Sequence, residues 1–212
     1  MEFFIPPSLE IAKEIQEKLS SKVKLDRIIE RVEIIGGIDS SYRKNRIRTA
    51  IVTLSLPGLD ILDFSIFEDD IKFPYIPSFL AFREIPSMLG AWERLKIKPQ
   101  LTLIDGNGIA HPRKLGIASH FGVLLNVPTI GCAKKPFYPA LTPSLKRGDF
   151  SYIRNEKNEI VGVSLRTKEN VMPVYVSPGN LVDLDFSIKI VLESSKYRIP
   201  EPIRIAHQLS KF

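Results

Sequence analysis

Apolar positions along the chain change period several times, and each change marks an element. Leu9, Ala12, Ile15 and Leu19 recur at helical spacing after Pro6-Pro7-Ser8, which predicts an amphipathic helix with Ser8 as its N-cap. From Val32 the pattern turns extended. Val32 to Asp39 reads as a strand closing on Ile38-Asp39-Ser40-Ser41-Tyr42, followed by a turn at Arg43 to Arg46. Ile47 to Leu56 gives a second strand and Leu59 to Phe67 a third, separated by Pro57-Gly58, so the first third of the chain predicts an antiparallel meander.

Phe73-Pro74-Tyr75-Ile76-Pro77 then breaks the periodicity. Each proline fixes its own φ and biases the preceding residue toward extended geometry, so this is a stiff loop whose large aromatic, Tyr75, reads either as core packing or as a wedge against something flat. Ser78 to Glu84 reads as a short helical piece, and Pro86 as the start of a second helix through Leu89, Trp92 and Leu95. Glu84 therefore falls at a helix break. Leu101 to Ile104 suits a buried parallel strand; it stops at Asp105, and Gly106 and Gly108 follow at once. Pro112 opens a helix with a stripe of Leu115, Ala118, Gly122 and Leu125, and Val127 to Gly131 forms a further parallel strand. Residues 137–150 read as loop, Ile160 to Arg166 and Val174 to Val176 as strands, and Leu181 to Leu192 and Ile203 to Leu209 as helices. The expected fold is α/β: a mixed sheet, three-stranded antiparallel meander plus parallel strands, flanked by helices in a single domain over residues 1–212.

Charge adds a partner to this picture. The net charge of +6 favours an anionic ligand such as nucleic acid. A single cysteine, Cys132, excludes an internal disulfide and a Cys-rich zinc site. No run approaches the ~18 apolar residues of a membrane span. The start, Met-Glu-Phe-Phe-Ile-Pro-Pro, lacks the basic region of a secretory leader, so a cytoplasmic location away from membranes is the expectation.

Three carboxylates fall at element ends: Asp39, Glu84 and Asp105. Taken singly, each reads as a cap or a surface ion pair. If the strands bearing Asp39 and Asp105 are neighbours, however, the two lie roughly 4.7–4.9 Å apart. Such a pair suits a shared Mg²⁺ or Mn²⁺, because hard cations take oxygen ligands and unpaired carboxylates repel. Together with the meander and βαβ order, this resembles a ribonuclease H-like fold carrying an acidic metal site. His111, before a proline at a helix start, reads equally as a cap or a phosphate contact. His120 and Trp92 read as structural, and Lys135 as a solvated charge or a phosphate contact.

Four ordered blocks go further. Gly37-Ile38-Asp39-Ser40-Ser41-Tyr42, then Phe73-Pro74-Tyr75-Ile76-Pro77 running to Phe82-Arg83-Glu84, then Asp105 to Arg113, then Pro128-Thr129-Ile130-Gly131 with Ala133-Lys134-Lys135, resemble the endonuclease V family. The resemblance spans about Gly37 to His207. It implies a metal-dependent DNA repair endonuclease that recognises deoxyinosine and cuts the second phosphodiester on its 3′ side, leaving 3′-hydroxyl and 5′-phosphate ends. Asp39 and Asp105 correspond to the family's metal-binding aspartates, Glu84 to its further catalytic glutamate and Lys134 to its lysine. His207 matches a histidine that many members carry where others have aspartate. Mg²⁺ is the implied cofactor, with Mn²⁺ as a substitute.

The resemblance also assigns Pro74, Tyr75, Ile76 and Pro77 to a strand-separating wedge. It implies an inosine pocket near wedge and glycine loop, taking in Ser78, Leu80, Gly106 and Gly108. Apart from the resemblance, His111, Arg113 and Lys135 are the candidate phosphate contacts. Ser78 stands where members usually have glycine, Asn180 where many have histidine, and Cys132 in place of a usual valine. The expected partner is deoxyinosine DNA bound by a monomer. Preference for inosine in RNA, or silent lesion binding without cleavage, are the alternatives.

Overall fold

The strand carrying Asp39 is the hub of the sheet. In the computed structural model, which describes residues 3–212, it is β1 (Ile34–Arg43), joined antiparallel to β2 (Arg46–Ser55), which pairs with β3 (Ile61–Asp70). Met1 and Glu2, part of the chain start considered above, lie outside the described residues. On its other side β1 pairs parallel with β4 (Leu101–Ile104), and β4 parallel with β5 (Thr129–Ala133). The meander and the parallel strands are thus as expected. Beyond β5 the sheet continues through β8 (Val174–Asn180), β7 (Ile160–Leu165) and β6 (Phe150–Arg154), all antiparallel. This second antiparallel flank is longer than the late strands predicted, and β6 falls partly in a stretch read as loop.

Alternation along β1 sends side chains to two covered faces. Ile35, Leu101, Leu103 and Ile130 pack with Phe186 and Val191 of α4 (Leu184–Glu193) and Ile203 and Ala206 of α5 (Glu201–Ser210). Ile38, Ile51 and Ile104 pack on the opposite face with Ile85 and Met88 of α2 (Leu80–Arg94) and Ala118 and Phe121 of α3 (Ile117–Leu125). A Cβ on Gly37 would lie 2.1 Å from the carbonyl carbon of Pro202, so only glycine lets α5 rest directly on β1. That contact brings the C-terminal helix to Asp39. The N-terminal helix α1 (Leu9–Ser20) forms as read, with the Ser8 side chain accepting from Ile11 N–H.

Two helices differ from expectation. Pro86 does not start a helix; it lies inside α2, which is continuous. A proline there removes one bond to the preceding turn, but Ala81, Phe82, Ile85, Met88, Leu89 and Ala91 are buried and hold the helix across it. Glu84 is accordingly a buried residue on a continuous helix, not at a break. The helix predicted from Pro112 begins only at Ile117: Lys114 has φ 51°, and Gly116 is the N-cap. Pro112 and Leu115 belong to the loop. Among the described residues no helix is long and apolar enough to cross a membrane.

Candidate active site

The register of the sheet puts the two aspartates side by side. Ile38 pairs with Ile104, so Asp39 and Asp105 each follow a matched pair, and Asp105 N–H donates to the Ile38 carbonyl at 3.2 Å. Their carboxyl groups come within hydrogen-bonding reach of each other. Burial, with Asp39 adding to it, pushes Asp105 up to about 6 in spite of Lys134, whose Nζ stands 2.5 Å from Asp105 Oδ2. Burial alone would lower Lys134; the Asp105 charge outweighs it and raises the lysine instead.

Glu84 enters from α2 and feels both aspartates. Burial foremost, then repulsion from Asp39 and Asp105, pushes it up to about 8, against the stabilising hydrogen bonds from Tyr42 and Ser40. The Tyr42 hydroxyl donates to Glu84 Oε1. Tyr42 is itself raised by burial and by the Glu84 charge, so it remains a donor. Arg83 lies 4.8 Å over the Tyr42 ring and donates to the Phe73 carbonyl at 2.9 Å, which links the proline-bracketed loop to the residue that holds Glu84. Asp39 is held from α5: His207 Nδ1 and Ser210 Oγ each stand 3.0 Å from its Oδ2. A carboxylate only accepts, so His207 Nδ1 carries the shared proton.

Asp39, Glu84, Asp105, Lys134 and His207 are thus brought to one locality. Among the described residues no three His, Cys, Asp or Glu side chains close into a finished metal-holding group. Glu84 is bonded to Tyr42 and Asp105 to Lys134.

The expected pocket adjoins this cluster. A cavity of about 180 Å³ is lined by Tyr75, Ile76, Pro77, Ser78, Leu80 and Gly106, together with Asn107, His111 and Phe137. It is smaller than the ~300 Å³ or more of sites for drug-sized ligands. Tyr75 is 67% exposed, which rules out the alternative that it is a core residue. Gly108 stands behind the lining: it is buried, its N–H donates to Ser177 Oγ at 2.8 Å, and a Cβ on it would meet the Pro178 carbonyl oxygen at 2.0 Å.

His111 and Arg113, the candidate phosphate contacts, both bond to the Ser78 turn. Ser78 has φ 66°, and its carbonyl accepts from Gln16 Nε2 at 3.0 Å, His111 Nε2 at 2.9 Å and Arg113 Nη2 at 3.1 Å. Arg113 also donates to Ser78 Oγ at 2.8 Å and to Gln16 Oε1 at 2.6 Å. Burial lowers His111 to about 4, so it is neutral, with its Nε2 proton on Ser78 and its Nδ1 accepting from Arg113 N–H. Lys135 is exposed. Sequence reasoning missed Tyr42, Gln16, Asn107, Phe137 and Ser210. Tyr42 and Asn107 lay within the resembling blocks, and Ser210 lies three residues after His207, on the same face of α5, which runs one residue past the expected helix end.

The endonuclease V profile matches residues 17–208. A curated endonuclease V of Dictyoglomus turgidum is 49% identical over 214 aligned residues, covering 99% of this chain and 92% of that protein. This chain belongs to the endonuclease V family. The crystal structure of endonuclease V from Streptomyces avermitilis matches with a TM-score of 0.93 at 39% identity, covering 97% of this chain and 92% of that one. Endonuclease V of Ciona intestinalis, solved with a 24mer DNA containing an inosine followed by a ribo-adenosine, matches with a TM-score of 0.84 at 32% identity, covering 96% and 97%. This endonuclease V family member is a nuclease with the ribonuclease H-like α/β fold, and its family is generally metal-dependent. Two of its departures lie away from the carboxylates or beneath them. Asn180 is buried, accepting from Lys24 N–H at 3.1 Å and donating to the Gly122 carbonyl at 3.1 Å. Cys132 is buried under the site, where burial pushes its thiol up.

Proposed function

We propose that this endonuclease V family member captures deoxyinosine in the pocket beside Tyr75 and hydrolyses the second phosphodiester bond on its 3′ side, leaving 3′-hydroxyl and 5′-phosphate ends. One adjacency carries the proposal. Asp105 belongs to the acid cluster, and the next residue, Gly106, lines the pocket. A base seated there keeps its own backbone beside the carboxylates.

The donor set fits a hard divalent cation: three carboxylates in a largely buried spot, with more negative charge than Lys134 offsets. Asp39, Asp105 and Glu84 would hold Mg²⁺ or Mn²⁺, with His207 as a further neighbour. The cation supplies Lewis acidity and charge neutralisation at the phosphate. Ser210 and His207 fix the Asp39 carboxylate, and Tyr42 holds Glu84. Lys134, freed from Asp105 when other positive charge enters, steadies the phosphate or the attacking water. Pro74 and Pro77 stiffen the loop that offers Tyr75 as a wedge, and Lys135 remains the exposed phosphate contact of the set. The enzyme works in the cytoplasm as a monomer.

End-labelled inosine duplex, incubated with Mg²⁺, Mn²⁺ or chelator and mapped at nucleotide resolution, tests this. Metal-dependent cutting at the second 3′ bond is the expected result. Cutting confined to a matched inosine RNA would move the substrate to RNA, and binding without cutting under every metal would leave a silent lesion-binding protein.

A further inference from the structure

Outside the acid cluster, α5 and the segment leading into it gather cations around one tyrosine. Tyr197 is 53% exposed; the Lys168 ammonium lies 5.3 Å and the Arg204 guanidinium 5.4 Å from its ring centroid. Lys196, beside the tyrosine in sequence, is exposed, as is Lys168. No ion pair among the described residues engages either lysine. The acids nearby in sequence are Glu201, buried and paired with Arg204 at 2.6 Å, Glu193, exposed and paired with Lys189 at 3.9 Å, and exposed Glu169.

This group is continuous with the site. Arg204 precedes His207 by three residues on α5, so the two share a face about 4.5 Å apart along the axis. Arg198 donates to the carbonyls of Pro173 and Lys134 at 3.1 Å and 3.2 Å, tying the segment to the strand end that carries Lys134. A line therefore runs from His207 through Arg204 and Tyr197 to Lys168.

We infer that Lys168, Lys196 and Tyr197 form a second anchor for the substrate, gripping the phosphate backbone of the nucleic acid flanking the scissile bond. The inference rests on the proposed function for the polymer bound. The chemistry follows from the residues: unpaired ammonium groups neutralise phosphates, and a ring held between cations presents an edge to sugar or base without disturbing them. The contact is indifferent to sequence and lesion.

The test is binding of undamaged duplex to the full chain in chelator, at 50 to 200 mM salt, so that neither cutting nor lesion capture enters. The Lys168→Gln/Lys196→Gln double variant is compared with Lys96→Gln/Lys98→Gln. The control pair carries the same charge change and precedes β4, at the other end of the parallel strands. The expected result is a slope of log K against log salt shallower by about 1.8 for the first pair, so that the wild-type advantage shrinks about tenfold across that range. The control slope should stay at the wild-type value. On inosine duplex the first pair should raise KM and leave kcat unchanged. A wild-type slope in the Lys168/Lys196 variant, or an equal loss in both pairs, would overturn the anchor. Absence of nicking by the wild-type protein would count against the proposed function alone, because the binding series is read without it.

Discussion

His207 and Ser210 grip the same oxygen of Asp39, each from 3.0 Å. Both come from α5, which can reach β1 only because Gly37 leaves no side chain in the way. The carboxylate is therefore oriented before any substrate arrives. Asp39→Asn or Asp105→Asn should lower single-turnover nicking by roughly 10²–10³-fold or more, while inosine-duplex affinity in chelator stays near wild type. An amide keeps the shape and loses the charge that holds a cation. Wild-type turnover by either variant at saturating Mg²⁺ would remove the pair from the chemistry.

Glu84 makes a pH-dependent prediction. Its folded-state value of about 8 lies above the ordinary 4.5, so between those values the folded protein holds a proton that the unfolded chain releases. Stability from this source is fully present below pH 4.5 and is lost as pH rises through about 8. In chelator, Glu84→Gln should melt above wild type at pH 8, by an amount on the order of a few kcal/mol, with the gap closing toward pH 5. The same variant should lose nicking. A variant that melts below wild type at pH 8 would contradict the buried-charge account.

Arg113→Lys should damage the pocket without changing electrostatic attraction to DNA. One lysine cannot reproduce contacts to the Ser78 carbonyl, Ser78 Oγ and Gln16 at once. Loss of a charge-assisted bond is worth ~1.5–3 kcal/mol, so affinity for inosine duplex should fall about tenfold or more. In Arg113→Ala, which removes the charge, the salt slope on undamaged duplex should still match wild type; a slope shallower by about one unit would make Arg113 a phosphate contact.

Tyr75→Ala should leave the fold intact, because the side chain is 67% exposed. Stacking of an aromatic ring on a base is worth ~1–3 kcal/mol, which predicts a loss of roughly tenfold to a hundredfold in affinity for inosine duplex. The loss should be smaller on single-stranded inosine oligonucleotides, where no partner strand has to be parted. Equal losses on both substrates would make Tyr75 a pocket wall rather than a wedge.

The Asp39–Asp105 pairing was legible because each follows an apolar run on neighbouring parallel strands, although only Asp105 lies at a strand end; β1 continues past Asp39 to Arg43. β6 was hidden for the opposite reason. Phe150-Ser151-Tyr152-Ile153-Arg154 buries only Ile153 and exposes both aromatics, so an edge strand there has no apolar face to show. Pro86 misled because local proline rules are weaker than six buried neighbours on one helix face. The inward bonds of Arg113 were not legible because a sequence displays its charge but not the left-handed Ser78, whose carbonyl collects three donors from distant parts of the chain.

The loop after Asp105 has no volume to give. A Cβ on Gly131 would sit 2.3 Å from the Gly108 nitrogen, and one on Gly108 would strike Pro178. Anyone retuning the pocket for another base therefore has a single wall to work with. Substitutions on the glycine-loop side tax folding before they touch recognition, and Ser78 is tied by its left-handed backbone and its bonds to Arg113, whereas half-buried Leu80 lines the pocket from the start of α2 and can be varied. Libraries aimed at new lesions belong on that side, and screens that report solubility alongside cutting will tell the two walls apart.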